Sequence, residues 1–239
     1  MKKNINLNNL IGIPKIYIDK LEKHKKTFLD NEFLEHILEG KEINQLVKEI
    51  NEVCLKASIY GFHYTRAIPE HIIEQGLRCR TGEEIRQCFI NNHGNLLSSN
   101  ELETVLQAWN KHFDYRQKES RDNYLFFNFT TSALYNGGAE PLLVNFGGEQ
   151  IYMPIFEMDS ISAKINNLGI PMILKCTLNP NKINTFYEYP WGKIAVSTFH
   201  ALCNPKACRL DQDGYQSINV QPTEIEMFYY DSSQDFRLI

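Results

Sequence analysis

Between residues 58 and 77 the chain changes character twice, and this stretch constrains the fold more than any other. Ser58-Ile59-Tyr60-Gly61-Phe62 is a short apolar run that leads into His63-Tyr64-Thr65-Arg66, and Pro69-Glu70-His71-Ile72-Ile73-Glu74-Gln75 follows before Gly76-Leu77. The run reads as a buried strand. Pro69 at a first helical position and Gly76 just past a last one frame a two-turn helix. A buried strand that ends in His, Thr and Arg places polar groups where each unpaired one costs about 2–7 kcal/mol. Those groups must meet one another or a ligand, so the strand end is the first candidate site.

The residues before this strand are organised differently. Ile43, Leu46, Val47, Ile50, Val53 and Cys54 recur at helical spacing, with Glu42, Gln45, Lys48, Glu49 and Glu52 between them. The spacing predicts an amphipathic helix over about 41–57. Tyr17, Leu21, Phe28, Phe33, Leu34, Ile37 and Leu38 predict one or two shorter helices before it. Residues 1–57 therefore form a helical N-terminal extension to a domain of residues 58–239. Its stripes serve as a packing layer on that domain, with docking of a partner as the alternative.

Within 58–239, a helical insertion is expected at about 91–122. Ser99-Asn100 is a capping signal for a helix running to about His112, with Leu102, Val105, Leu106, Trp109 and Phe113 on one face. Asp114 to Asp122 then reads as a charged loop whose interleaved acids cancel most of the field of Arg116, Lys118 and Arg121. Strand signals dominate afterwards: 124–130, 171–178, 193–199, 217–220 and 224–230. The glycine doublets 137–138 and 147–148 bracket a short helix at 139–146. No regular strand–helix alternation appears, so the fold class is α+β, built on a mixed or antiparallel sheet.

Composition narrows the function. The formal net charge is −4, which supplies no general attraction to nucleic acid or anionic lipid. No apolar run approaches the roughly 20 residues that span a bilayer, and Asn interrupts the N-terminal apolar residues, so a cytoplasmic protein with no membrane association is expected. Six cysteines are scattered without a Cys-x-x-Cys pair, and Cys203 and Cys208 with His200 supply too few ligands for zinc, so no metal is expected. The sequence also lacks a phosphate-binding Gly-x-x-x-x-Gly-Lys loop, a Gly-x-Ser-x-Gly elbow, a His-Glu-x-x-His helix and a Gly-x-Gly-x-x-Gly turn.

Residues 58–77 resemble the first strand and helix of the ADP-ribosyltransferase (ART) fold, whose bacterial toxin-like members open with a His-x-Thr motif and an Ile-Leu-x-x-Gly-Leu helix. The segment Gly137 to Tyr152, with Phe146-Gly147-Gly148-Glu149-Gln150-Ile151-Tyr152, is similar to a Gly-Gly-Glu-x-x-Tyr segment of a bacterial family that also carries a His-x-Thr-Arg strand. The resemblance covers about residues 58–90 and 122–230. It implies an ART-like core and an NAD-dependent ADP-ribosyltransferase. Such an enzyme would be a bacterial toxin or phage-defence effector, consuming NAD as substrate and modifying a nucleic acid or protein, with an antitoxin docking on the N-terminal helices. The alternative is a non-catalytic ART-like module that binds a nucleotide or a protein.

The resemblance also assigns roles. His63 would bind a ribose of NAD, Thr65 would order the strand end, Arg66 would meet the pyrophosphate with its guanidinium fork, and Tyr64 or Tyr135 would stack on nicotinamide. Glu149 is the preferred carboxylate, ahead of Glu140 and of Glu226 in Glu224-x-Glu226. At the late-strand position where such toxins carry their glutamate, this chain has Gln216. The reading requires His63, Arg66 and Glu149 to converge on one cleft. Taken singly, each residue also has a structural role: a core histidine, a buried ion-pair partner, a helix-end acid.

Overall fold

The computed structural model describes residues 3–210, 213–237 and 239; the first two residues of the N-terminal stretch discussed above lie outside them. The fold is α+β. Seven strands form one sheet: β1 (Asn4–Ile5), β2 (Ser58–Ala67), β3 (Leu125–Asn128), β4 (Ile170–Leu178), β5 (Asn184–Thr185), β6 (Asp213–Gln216) and β7 (Ile225–Tyr229). The order is β5-β6-β3-β2-β4-β7, every neighbouring pair antiparallel, and β1 lies parallel to the start of β2.

The strand that carries the polar cluster is thus central. β2 pairs with β4 from Ile59↔Leu178 to Ala67↔Ile170, and with β3 through Phe62↔Asn128. Its alternation sends Ile59, Gly61, His63 and Thr65 to one face and Tyr60, Phe62, Tyr64 and Arg66 to the other.

The first face is covered by the N-terminal helices α1 (Lys15–Lys23), α2 (Lys25–Asp30), α3 (Leu34–Leu38) and α4 (Lys41–Leu55), together with the late helix α12 (Pro190–Cys203). α4 buries Ile43, Leu46, Val47, Ile50 and Cys54, the predicted stripe. Those residues share one core with Ile59, Phe127, Leu174, Trp191 and Ile194. Burial pushes the Cys54 thiol up to about 12, so it packs there as a small neutral hydrophobe.

A second core joins α6 (Gly82–His93), α7 (Ser99–His112), α10 (Glu149–Tyr152) and α11 (Asp159–Asn166) through Phe89, Val105, Trp109, Ile151 and Ile165. The helices α5 (Pro69–Gln75), α8 (Tyr115–Arg121) and α9 (Glu140–Val144) complete the set. α5 begins at Pro69 and stops before Gly76, as its punctuation predicts. No helix among the described residues is long and apolar enough to cross a membrane.

Four local expectations are corrected. Residues 193–199 are helical, part of α12, and not a strand. Trp191, Ile194, Ala195, Val196, Ser197, Thr198, Phe199 and His200 are all buried, and a helix enclosed on nearly every side shows no polar stripe to reveal its period. The charged stretch after Asp114 is helix α8, because the Asp114 carboxylate accepts the Gln117 N–H at 3.0 Å and caps it. The late strand lies upstream of 217–220, at β6. α7 itself is capped by Ser98, one residue ahead of the expected cap, in a reciprocal pair with Glu101.

α12 approaches α4 so closely that a Cβ on Gly192 would lie 1.9 Å from the Val47 carbonyl oxygen. Replacing Gly192 with Ala must therefore separate the two helices. Denaturant unfolding of Gly192→Ala is expected to show a loss of at least about 1–3 kcal/mol, the usual cost of overpacking; an unchanged midpoint would refute the packing described here.

Candidate functional site

His63 faces the α4/α12 side, opposite Phe127 of β3, with ring centres 5.9 Å apart. Its Nδ1 lies 2.9 Å from the Phe126 carbonyl oxygen. A carbonyl only accepts, so Nδ1 carries the proton and Nε2 is left as an acceptor. Burial lowers the pKa of the imidazole, and the hydrogen bond to Phe126 offsets this only in part. His63 is therefore a neutral group whose acceptor nitrogen suits a hydroxyl donor.

On the same face Thr65 of β2 pairs with Met172 of β4 and Leu125 of β3 pairs with Gln216 of β6, while β2 and β3 pair at Phe62↔Asn128. Gln216 is buried, and its Nε2 donates to the Ile218 carbonyl at 2.7 Å. Thr65 and Gln216 lie on β2 and β6, with β3 between those strands. The late-strand position and the first-strand motif thus share one face.

The exit of α5 joins this face. Gly76 adopts φ +69°, and a Cβ there would lie 2.1 Å from the Val220 carbonyl oxygen. The backbone therefore turns sharply and closely enough for Leu77 and Val220 to exchange N–H···O bonds of 2.9 and 3.0 Å. The Cys79 N–H then donates to Asn219 Oδ1 at 2.8 Å. On the outer side of this clasp lies a cavity of about 240 Å³, lined among others by His71, Gln75, Arg78, Arg80, Cys88 and Asn92. No Asp or Glu lines it. The neighbouring Glu84 carboxylate is engaged by the N–H and hydroxyl of Thr81 at 2.7 and 3.0 Å, and Arg80 Nη2 donates to Gln75 Oε1 at 3.1 Å. A basic, acid-free recess of this kind suits a phosphate-bearing ligand.

The structure does not bring His63, Arg66 and Glu149 together. Period-two alternation puts residues 63 and 66 on opposite faces of β2, and Arg66 Nε donates to the Leu168 carbonyl at 2.9 Å. Glu149 opens α10 next to β2, since the Gly147 N–H bonds the Arg66 carbonyl at 3.0 Å, but its carboxylate pairs with Arg121 Nε at 3.0 Å. That pair ties α8 to α10. Glu140 is exposed in the first turn of α9, and Glu226 pairs with Lys175 Nζ at 3.1 Å.

The two tyrosines also separate. Tyr64 is buried in an apolar cluster with Phe62, Ile173 and Phe236, and its hydroxyl donates to the Thr130 carbonyl at 3.2 Å. Tyr135 is 48% exposed; its hydroxyl donates to Asp235 at 2.9 Å and accepts the Phe236 N–H at 3.0 Å, while the Arg237 guanidinium sits 4.8 Å from the ring centre. Of the two, Tyr135 is the ring with a face open to a ligand.

Arg78 and Arg80 were absent from the sequence reading of the site. The signal was present: Leu77-Arg78-Cys79-Arg80 sets two cations directly after the helix-ending Gly76 with no acid between them. No family model matches the chain, and neither a curated protein nor a solved structure matches it.

The lowered pKa of His63 has a definite sign in stability. Above the ordinary histidine value of about 6.5 both folded and unfolded chains hold it neutral; below that, the unfolded chain takes up a proton that the folded one resists, so stability falls with pH. Denaturant unfolding at pH 7.5 and 5.5 is expected to show a larger acid loss in the native protein than in His63→Gln. Equal losses would mean that residue 63 is as easily protonated folded as unfolded.

Proposed function

We propose that the chain is an ART-like domain that binds NAD on the His63 face and transfers ADP-ribose to a macromolecular acceptor. The observation that supports this reading is the common sheet face of His63, Thr65 and Gln216, with Cys79, between Arg78 and Arg80, 4.0 Å from the Gln216 carbonyl through its Sγ. The neutral His63 Nε2 would accept from a ribose hydroxyl, and Arg78 and Arg80, in place of Arg66, would meet the pyrophosphate. Tyr135, bonded to Phe236 of the Tyr64 cluster, lies on the other side of the sheet and takes no part in this site.

In the reaction the bond from ribose C1′ to the nicotinamide nitrogen breaks and its electron pair leaves with nicotinamide. The acceptor's nucleophile then bonds to C1′ and gives up its proton. The oxocarbenium-like charge that develops at C1′ is stabilised by oriented dipoles or a carboxylate. Gln216 offers a dipole where a carboxylate would be stronger. That amide favours a second reading, an ART-like module that binds NAD and does not cleave it; Glu149 would be the carboxylate of a catalytic form only by leaving Arg121. A role as a toxin or defence effector in a bacterial conflict system rests on the sequence resemblance alone.

The test is direct. Titration calorimetry with NAD is expected to show saturable binding that Arg78→Ala with Arg80→Ala weakens by about tenfold or more, the weight of charge-assisted hydrogen bonds, and that His63→Ala also weakens. Release of nicotinamide from labelled NAD would support transfer, and binding without release would support the module. Absence of NAD binding would overturn both.

A further inference from the structure

The sheet ends on two unlike edges. β5 is two residues long, too short to offer a partner a ladder. β7 runs from Ile225 to Tyr229 beside β4 in one unbroken register, with no bulge. The Tyr230 N–H donates to the Pro171 carbonyl at 2.9 Å, one step beyond the Tyr229↔Met172 pair. In an antiparallel ladder every second residue turns its backbone groups to the neighbouring strand, so Tyr230, Phe228 and Glu226 face β4. Ile225, Met227 and Tyr229 therefore face the open edge. The Ile225 N–H is taken by the Pro222 carbonyl. Among the described residues no hydrogen bond reaches the Met227 or Tyr229 backbone, and no strand lies beyond β7.

Edge strands are ordinarily blunted by a lysine, a proline, a bulge or a free charge. β7, Ile-Glu-Met-Phe-Tyr, has none of the first three. Its one charge is committed: Glu226 pairs with Lys175 Nζ at 3.1 Å. Period two sets that carboxylate on the face opposite the Ile225, Met227 and Tyr229 side chains. Ile225 and Met227 pack against the core beneath the N-terminal helices, and Tyr229 beside them is 56% exposed.

We propose that β7 pairs antiparallel with β7 of a second copy of the chain, joining two sheets into one. A two-fold interface requires a surface that complements itself, and this strand does. Centred on Met227, the pairing sets Ile225 against the partner's Tyr229, Met227 against the partner's Met227 and Glu226 against the partner's Phe228. Each Met227 N–H then meets the partner's Met227 carbonyl, and each Tyr229 N–H the partner's Ile225 carbonyl, so every free outward N–H is satisfied. No like charges are opposed, since beyond the strand Glu224 meets the partner's Tyr230 and Thr223 the partner's Asp231. Centring on Glu226 would oppose the two carboxylates, which costs stability. A foreign strand would need no such two-fold match. The free edges of the joined sheet are then both β5, so assembly closes at the dimer. This inference does not depend on the NAD reading.

Sedimentation of the full chain between about 5 and about 500 µM is expected to show a reversible monomer–dimer equilibrium with nothing larger. Hydrogen exchange read by NMR at both ends of that range is expected to split the strand. The Glu226 and Phe228 amides, bonded to β4, are protected throughout, while Met227 and Tyr229 gain about tenfold or more protection only in the dimer. Tyr229→Pro deletes an outward N–H and no bond to β4, and is expected to weaken dimerisation about tenfold or more. Tyr229→Lys leaves the backbone intact, adds an edge charge and is expected to act in the same direction. A chain that stays monomeric, a dimer whose Met227 and Tyr229 amides exchange as in the monomer, or a dimer indifferent to both substitutions would overturn the inference. So would polymers, or protection of those two amides in the monomer, which would assign the edge to another segment of the same chain. NAD binding by a strictly monomeric chain would end this inference and leave the NAD reading standing; a dimer of this register that binds no NAD would do the reverse.

Discussion

The nine-residue ladder between β2 and β4, from Ile59↔Leu178 to Ala67↔Ile170, holds the rest of the molecule in register. A slip by one residue would turn His63 and Thr65 away from the helices and turn Arg66 toward them. An unpaired guanidinium there is prohibitively expensive, so the apolar residues on both strands fix which polar groups point where. The same alternation separates two surfaces. One is the face with its neutral histidine, and the other is the face where Arg66, Lys175, Phe126 and Tyr215 lie.

Electrostatics around the sheet follow this division. Ion pairs such as Arg121–Glu149 and Lys175–Glu226 tie elements together at half-exposed positions, where each adds little to stability. Arg78 and Arg80 line a recess whose wall contains no acid, and Glu84 beside it caps α6 while the charge of Arg80 also favours its ionised form. Two cations in a recess with no acid in its wall contrast with Glu149, an acid already held by Arg121. That contrast moves attention from Glu149 to the exit of α5.

Much of the fold was legible from sequence where the pattern was one-sided. α4 shows its stripe, α5 its Pro and Gly punctuation, and β2 and β4 their apolar runs, because each meets the core on one side or is bounded by clear signals. α12 was not legible: with apolar or small residues around nearly its whole circumference, Ile194 to Phe199 carries no period. α8 hid because its residues are polar throughout and only the Asp114 cap distinguishes helix from loop. For the site, the value of His63, Thr65 and Gln216 could be guessed from motif position, but their common face depends on pairings across β3. The separation of Arg66 from His63 follows from period two alone and was available before any coordinates.

The Leu77–Val220 clasp joins segments more than half the chain apart in sequence. Chains are made from the N-terminus at about 5–20 residues per second, so the strand with His63 and the arginine pair leaves the ribosome well before the turn that completes their surroundings. Throughout that interval the turn at Gly76 lacks the backbone partner that fixes it. The segment carrying Arg78 and Arg80 is thus pinned to the sheet only after synthesis has passed residue 220.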